Sequence, residues 1–385
     1  MDRKRSHPLQ TTTLDMLAAR APRAPSLSTD DDDAFVDVTE SFASLDVADN
    51  VERAARAKRL ASDDRLLDAA RAWRATSTDA AATTSEVEVD TDDALASIVR
   101  TASDAERWIA QLKEPATSAC GWLRQQSTLA SSLALLSSNA AASNAKRART
   151  RIYYKCETAQ TLAVRIETVI TRDLLVPLLS CLNESELYAS WLPKWTTPTR
   201  LGVRESVKVD QVGRCSQLVV ITCDCPWPLE TRQVVLNAVA FDDIETLGDI
   251  GVLLQTRDCM DDDRVPPKPH DEDVTRIDVD GGFLFRRVPD GWANAEGEDP
   301  CADVGEDDIL VSFGYTVDPK LEYIPNWLLN FIVRTVIGTL WGAFIQVAED
   351  VRDGKRPEHA SVIQEKRQTL YDWVDTRVAR MLARP

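Results

Sequence analysis

Residues 325–351 read PNWLLNFIVRTVIGTLWGAFIQVAEDV, and where this stretch sits decides the fold. From Trp327 to Ala348 it is apolar on nearly every side and long enough to cross a bilayer, and Gly338 with Gly342 makes the small-xxx-small spacing of membrane helix pairs. Arg334 interrupts the run, and a charge at such a depth costs about 2.5–3.5 kcal/mol on insertion scales. Asn330 and Gln346 add to that penalty. A helix apolar nearly all round can instead be buried inside a large soluble fold, and burial is the reading adopted here.

Upstream of this helix the pattern is that of a sheet. RIYYKCE at 151–157 and LAVRIETVIT at 162–171 cluster β-branched and aromatic residues as strands do. The segment DLLVPLLSCLNESELYASWLP at 173–193 then turns helical, with Asn183 and Glu186 in the form of a helix N-terminus. Further strands are predicted at Leu201–Val209, Gln217–Cys223, Val234–Phe241, Gly251–Thr256, Thr275–Val279, Phe283–Val288 and Ile309–Val317. Turn signals separate them at Val212-Gly213, at Cys225-Pro226-Trp227-Pro228 and at Gly281-Gly282. Two acidic loops fall at about 257–273 and 289–308. Regular βα alternation is absent, so the expectation is an antiparallel α+β sheet rather than a doubly wound one.

The flanks differ from this centre. Residues 1–50 combine Pro, Ser and Thr with the run Asp30 to Asp33 and few large apolar side chains, the composition of a disordered acidic arm. Residues 51–150 are expected to be a helical accessory region. One helix carries Leu60, Leu67, Ala70 and Trp73; a second carries Leu95, Ile98, Ala102, Ala105, Ile109 and Leu112. A third opens near Pro115 and carries Trp122, Leu129, Leu133 and Leu136. Residues 352–385 read as a linker and a basic amphipathic helical tail, with Ile363, Leu370, Val374, Val378 and Met381 at helical steps and Lys366, Arg367, Arg377 and Arg380 beside them. Such a tail can lie on an anionic bilayer or dock on the acidic domain of its own chain.

Charge and composition narrow the function. The 385 residues are 44% apolar and carry a net charge of −17, divided as −4 over 1–150, −16 over 151–351 and +3 over 352–385. Phosphate binding needs clustered Lys and Arg, so no nucleic-acid partner is expected for the acidic centre. Eight cysteines scattered over this length suggest free thiols rather than a disulfide scaffold. MDRKRSHPLQ is not followed by the apolar run of a secretory signal. A cytoplasmic protein, peripheral at membranes, is the expectation. Catalysis has little to draw on: the histidines are His7, His270 and His359, and no G-x-S-x-G, P-loop or H-E-x-x-H sequence occurs. Cys223 and Cys225 lack a second pair at zinc spacing, and DVDG at 278–281 lacks the remaining ligands of a calcium loop. No metal or cofactor is expected, and the chain is read as non-enzymatic.

Four segments in order resemble the START lipid-binding domain of the helix-grip class. They are ELYASWLP at 186–193, PWPLETRQVVL at 226–236, TRIDVDGGFLFRRV at 275–288 and DPKLEYIPNWLLN at 318–330. The resemblance covers about 151–351 and departs from the family pattern at Gln233, Leu321 and Glu322. It implies a curved antiparallel sheet around a long C-terminal helix, enclosing an apolar cavity for a single lipid, whether phospholipid, sterol or another. It also implies transient membrane contact, with the helix at about 325–351 closing the cavity. At about 0.8 kcal/mol per CH₂, moving a sixteen-carbon chain from bilayer to water would cost on the order of 13 kcal/mol, so a carrier must replace the apolar environment completely. A lipid-binding or lipid-transfer protein is the implied function. The other reading is a scaffold or lipid sensor that recruits a protein partner through residues 51–150.

Within that frame the candidate lipid-binding residues are Arg232, Phe241, Phe313, Tyr315, Trp327, Phe331, Arg334 and Trp341. By helical spacing Trp327, Phe331, Arg334, Trp341 and Ile345 share one face, from which Arg334 could hold a phosphate or carboxylate through two hydrogen bonds. An ion pair with a sheet carboxylate is the alternative. Arg232 matches the family's Arg and is equally open to a structural role. Phe241, Phe313 and Tyr315 are read as alternating toward the cavity. Trp191, Trp195 and Trp227, near element ends, are candidates for membrane contact or for the cavity mouth.

Overall fold

Eleven strands join into one sheet in the computed structural model of the chain, which describes residues 49–75, 93–125, 150–195, 200–225, 229–258, 263–268, 274–292, 304–322 and 325–383. The strands are β1 (Leu123–Arg124), β2 (Thr150–Cys156), β3 (Leu162–Ile170), β4 (Lys194–Trp195), β5 (Leu201–Val212) and β6 (Ser216–Asp224), then β7 (Thr231–Asp243), β8 (Asp249–Thr256), β9 (Val274–Arg276), β10 (Asp278–Arg287) and β11 (Ile309–Asp318). Their order is β1-β2-β3-β11-β10-β8-β7-β6-β5-β4. All pairs on that path are antiparallel. β9 lies off it and runs parallel to Thr231–Gln233 of β7. The architecture is α+β, with a helix-grip arrangement of sheet and C-terminal helix.

The helices are α1 (49–62), α2 (Leu66–Arg74), α3 (Asp93–Lys113), α4 (Leu175–Asn183), α5 (Asn326–Phe331), α6 (Ile337–Arg352), α7 (Pro357–Glu365) and α8 (Asp372–Ala383). β3 is buried at all nine positions, because helices cover both faces of the sheet there. On the inner face α6 packs over Phe283, Phe285, Val311 and Ile166. On the outer face α2 and α3 bring Leu67, Ala70, Ala102, Ala105, Trp108, Ile109 and Leu112 against Phe241, Leu253 and Leu284. Arg165 fixes the end of α3: it pairs with Glu167 at 2.5 Å and donates to the carbonyls of Gln111, Leu112 and Glu114. A cation at these unsatisfied C-terminal carbonyls is the arrangement that the helix dipole favours.

Several expectations are corrected. The single helix expected through Leu60, Leu67, Ala70 and Trp73 is two, broken at Asp64, which adopts φ 61° and whose carboxylate is held by Arg214 at 3.1 Å. Asp tolerates that left-handed conformation better than most residues. No helix opens at Pro115: Ser118–Cys120 form a 3₁₀ turn, and Leu123–Arg124 pair with β2. Leu129, Leu133 and Leu136 lie outside the described residues, as do residues 1–48. Asn183 closes α4 instead of capping a new helix, and its side chain donates to Glu184. Gly281-Gly282 is not a turn but the middle of β10. A Cβ at Gly281 would lie 2.6 Å from the Gly314 carbonyl oxygen, and one at Gly282 would lie 2.7 Å from that of Val252, so glycine is required by close backbone approach.

The closing helix is continuous from α5 to α6 through a π-helical turn at Ile332–Val336. Among the described residues, no helix is long and apolar enough to cross a membrane. The tail, α7 and α8 joined by a π turn at Arg367–Tyr371, docks on the chain's own carboxylates. Arg377 pairs with Asp242, Arg380 with Glu245 at 2.9 Å, and Lys366 with Glu184 at 2.5 Å.

Candidate functional site: an apolar cavity between sheet and closing helix

Between the inner face of the sheet, the closing helix and the tail lies a cavity of about 560 Å³. That is the size range of small-molecule sites. Its origin can be followed strand by strand. On β10 and β11, Phe283 and Phe313 stack at 4.1 Å and Trp341 of α6 lies on Phe313 at 5.9 Å, so aromatic rings fill the gap between helix and sheet. Trp341 Nε1 donates to Thr168 Oγ1 at 2.7 Å, which fixes its ring. On β7, two strands along, the inward positions are Ala238 and Ala240, and these short side chains leave the same gap open. Val219, Leu236, Val252, Leu254 and Val317 complete an almost wholly apolar sheet wall.

The helix contributes Ile332, Val336, Ile337, Leu340, Trp341 and Phe344. This is not the face expected for a straight helix. The π turn holds extra residues per turn and rotates the following segment relative to Phe331, which is part-buried away from the cavity, and Ile345 is buried without lining it. The side chains of Trp327 and Arg334 lie outside what is described.

The remaining candidates sort clearly. Phe313, Tyr315 and Trp341 line the cavity. Phe241 adjoins it, but its ring belongs to the opposite face. Alternation along β7 turns Leu236, Ala238, Ala240 and Asp242 inward and Phe241 outward, where it covers Gly251 and joins Leu67, Ala70 and Leu253. A Cβ on Gly251 would come 2.3 Å from Phe241 Cζ. Arg232 is not in the cavity: it is buried and donates to the carbonyls of Pro319 at 3.2 Å and Glu230 at 3.0 Å. Trp191 is in the cavity wall, stacked on Phe344 at 6.0 Å and edge-on to Tyr188 at 5.7 Å. The Trp195 side chain and Trp227 lie outside the described residues.

Sequence reading missed the tail's share of the wall. Leu370, Tyr371, Trp373, Val374, Arg377 and Val378 all face the cavity. The apolar steps Leu370, Val374 and Val378 were the available signal, but only the fold shows what they cover. Two buried polar clusters anchor this wall. Arg377 grips Asp242 through Nε, at 2.9 Å, and through Nη2. Glu184 accepts from Tyr371 Oη at 2.7 Å, from Lys366 and from Asn183. Burial pushes the Glu184 carboxyl up, yet these hydrogen bonds outweigh it and hold the group below the usual carboxylate range. On α7, His359 is fully buried, neither ring nitrogen is hydrogen-bonded among the described residues, and burial lowers its pKa from the ordinary 6.5.

The thiols of Cys181 and Cys223 are pushed up to about 12 by burial, the state of inert core thiols. Cys120, Cys156, Cys181, Cys215, Cys223 and Cys225 are all free. Among the described residues no three His, Cys, Asp or Glu side chains are placed to hold a metal.

No family model matches this sequence, and no curated protein matches it. Solved structures similar to it include human STARD10, at 14% identity over 72% of this chain and 87% of that one, with a TM-score of 0.45. Human StAR-related lipid transfer protein 5 is 11% identical over 66% of this chain and 96% of its own, with a TM-score of 0.43. A STAR-related lipid transfer protein from Xanthomonas axonopodis is 18% identical over 59% and 98%, with a TM-score of 0.36. These likenesses are too distant to assign a ligand or an activity.

Proposed function

We propose that this protein binds one lipid in the cavity between sheet, closing helix and tail, and carries it between membranes. The observation that carries the reading is the apolar space of about 560 Å³, walled by Ala238 and Ala240 on one side and by Phe344 and Leu340 on the other. An apolar void of this size forfeits packing that a closed core would gain, so the fold retains room that an apolar guest would fill. The sequence resemblance to START domains supports the same function. Release requires a wall to move, and the tail is a wall fastened by polar pairs in addition to the apolar contacts of Val378 and Met381. Arg377 to Asp242 and Lys366 and Tyr371 to Glu184 fasten it at two points.

The recruiting scaffold is less well supported. The apolar faces of α2 and α3 are already covered by the outer face of the chain's own sheet.

Transfer of a fluorescent lipid from donor to acceptor vesicles tests the proposal. Substoichiometric protein is expected to accelerate it. Uptake without acceleration would make the protein a lipid sensor, and neither uptake nor acceleration would contradict lipid binding altogether.

A further inference from the structure

Most polar atoms in the cavity wall are matched within the protein. Gln217 accepts from Ser185 Oγ at 3.0 Å, and Tyr188 donates to the Leu182 carbonyl at 2.6 Å. Tyr371 and Asn183 bond to Glu184, and Asp242 is held by Arg377. Tyr315 differs. It lies on β11 beside Phe313, ring centroids 5.0 Å apart, and is part-buried. It lines the cavity, yet its hydroxyl has no hydrogen-bond partner among the described residues. Its cross-strand neighbour is Gly281, where an added Cβ would lie 2.7 Å from Tyr315 Cβ. The strand opposite is therefore cleared where Tyr315 stands.

A lipid that fills the cavity strips this hydroxyl of water, and a desolvated hydroxyl left without a partner is costly. The cavity is where a partner can come from. The charge on the described wall limits what that partner is. Arg377 is the cation there, and it is engaged by Asp242 and by Glu245 at 3.7 Å. No described lining group is free to neutralise a phosphate, and burying an uncompensated charge is far more costly than burying a neutral oxygen.

We propose that the cavity takes a neutral lipid whose hydroxyl or carbonyl oxygen hydrogen-bonds to the Tyr315 hydroxyl. This rests on the lipid-binding reading above and names its ligand class. A sterol and a diacylglycerol offer the same chemistry, and the test separates them.

The full chain is equilibrated with phosphatidylcholine vesicles containing cholesterol, cholestane or diacylglycerol, and protein-bound lipid is quantified by native mass spectrometry. Cholestane is the sterol skeleton without the hydroxyl. The wild-type chain is expected to retain cholesterol or diacylglycerol over phosphatidylcholine, whichever of the two it prefers identifying the source. Tyr315→Phe, which removes one oxygen and keeps the ring, is expected to lower retention of the oxygenated lipid about 5- to 50-fold while leaving cholestane unchanged. An unshifted thermal midpoint serves as the folding control. If Tyr315→Phe retains the oxygenated lipids as the wild type does, or if phosphatidylcholine is the lipid retained, this inference is overturned and lipid binding stands. If none of the four is retained, the lipid-binding reading falls and takes the inference with it.

Discussion

The two faces of the sheet obey one alternation and reach opposite ends. Outward-facing Phe241, Leu253 and Leu284 meet α2 and α3 and are packed to closure. Inward-facing Ala238, Ala240, Val252 and Tyr315 meet a helix propped away from them and leave about 560 Å³ unfilled. Neighbouring residues on one strand, Ala240 and Phe241, therefore serve different ends: the larger side chain stabilises the outer layer and the smaller one leaves space. Size and hydrophobicity alone do not reveal which residues make a site, since the most aromatic position of β7 lies on the filled face.

The largest test of this contrast is Arg165→Ala. It leaves Glu167 without its cation and α3 without its C-terminal anchor, and breaking a buried pair in this way costs about 3–5 kcal/mol. Urea unfolding should show it; a loss below about 1 kcal/mol would mean that the outer layer is not fastened there.

Next, Arg377→Ala should lower stability by about 3 kcal/mol and speed lipid release. A normal release rate in the unlatched variant would place the moving wall elsewhere.

Two small-to-large changes then compare the faces directly. Gly282→Ala points outward, where its Cβ would meet the Val252 carbonyl oxygen, and should cost about 1–3 kcal/mol. Ala238→Leu points into the cavity and should be neutral or stabilising by up to about 1 kcal/mol, with weakened lipid uptake. Equal destabilisation by both would mean that the inner space is not available.

The smallest effect is in pH. Because the folded-state pKa of His359 lies below its unfolded value near 6.5, the unfolded chain takes the proton first. Its contribution to stability is intact above about pH 6.5 and is lost as pH falls below that, with a slope approaching about 1.4 kcal/mol per pH unit. His359→Leu should remove this part of the slope, read as the difference between the two unfolding curves from pH 7 to 5.

Strand positions and the antiparallel α+β class were legible because period-2 patterning and β-branched composition act locally. The buried closing helix was legible from its all-round apolarity and the cost of Arg334 in lipid. Its cavity face was not, since a π turn leaves no mark in helical spacing. The face of Phe241 was misread because alternation gives two faces without saying which one the helix covers. Gly281-Gly282 reads equally as a turn or as close backbone approach, since glycine tolerates both, and only the neighbouring carbonyls decide between them. The tail's amphipathic steps were visible, but its partners, Asp242 and Glu184, lie more than a hundred residues away in sequence.

Native mass spectrometry after incubation with vesicles, on the wild type and on Ala240→Phe, tests the central claim most directly. One lipid per wild-type chain and none on the folded variant is the predicted outcome. A wild-type chain that emerges empty, or equal lipid on both proteins, would contradict the assignment of the unfilled inner face as the binding site.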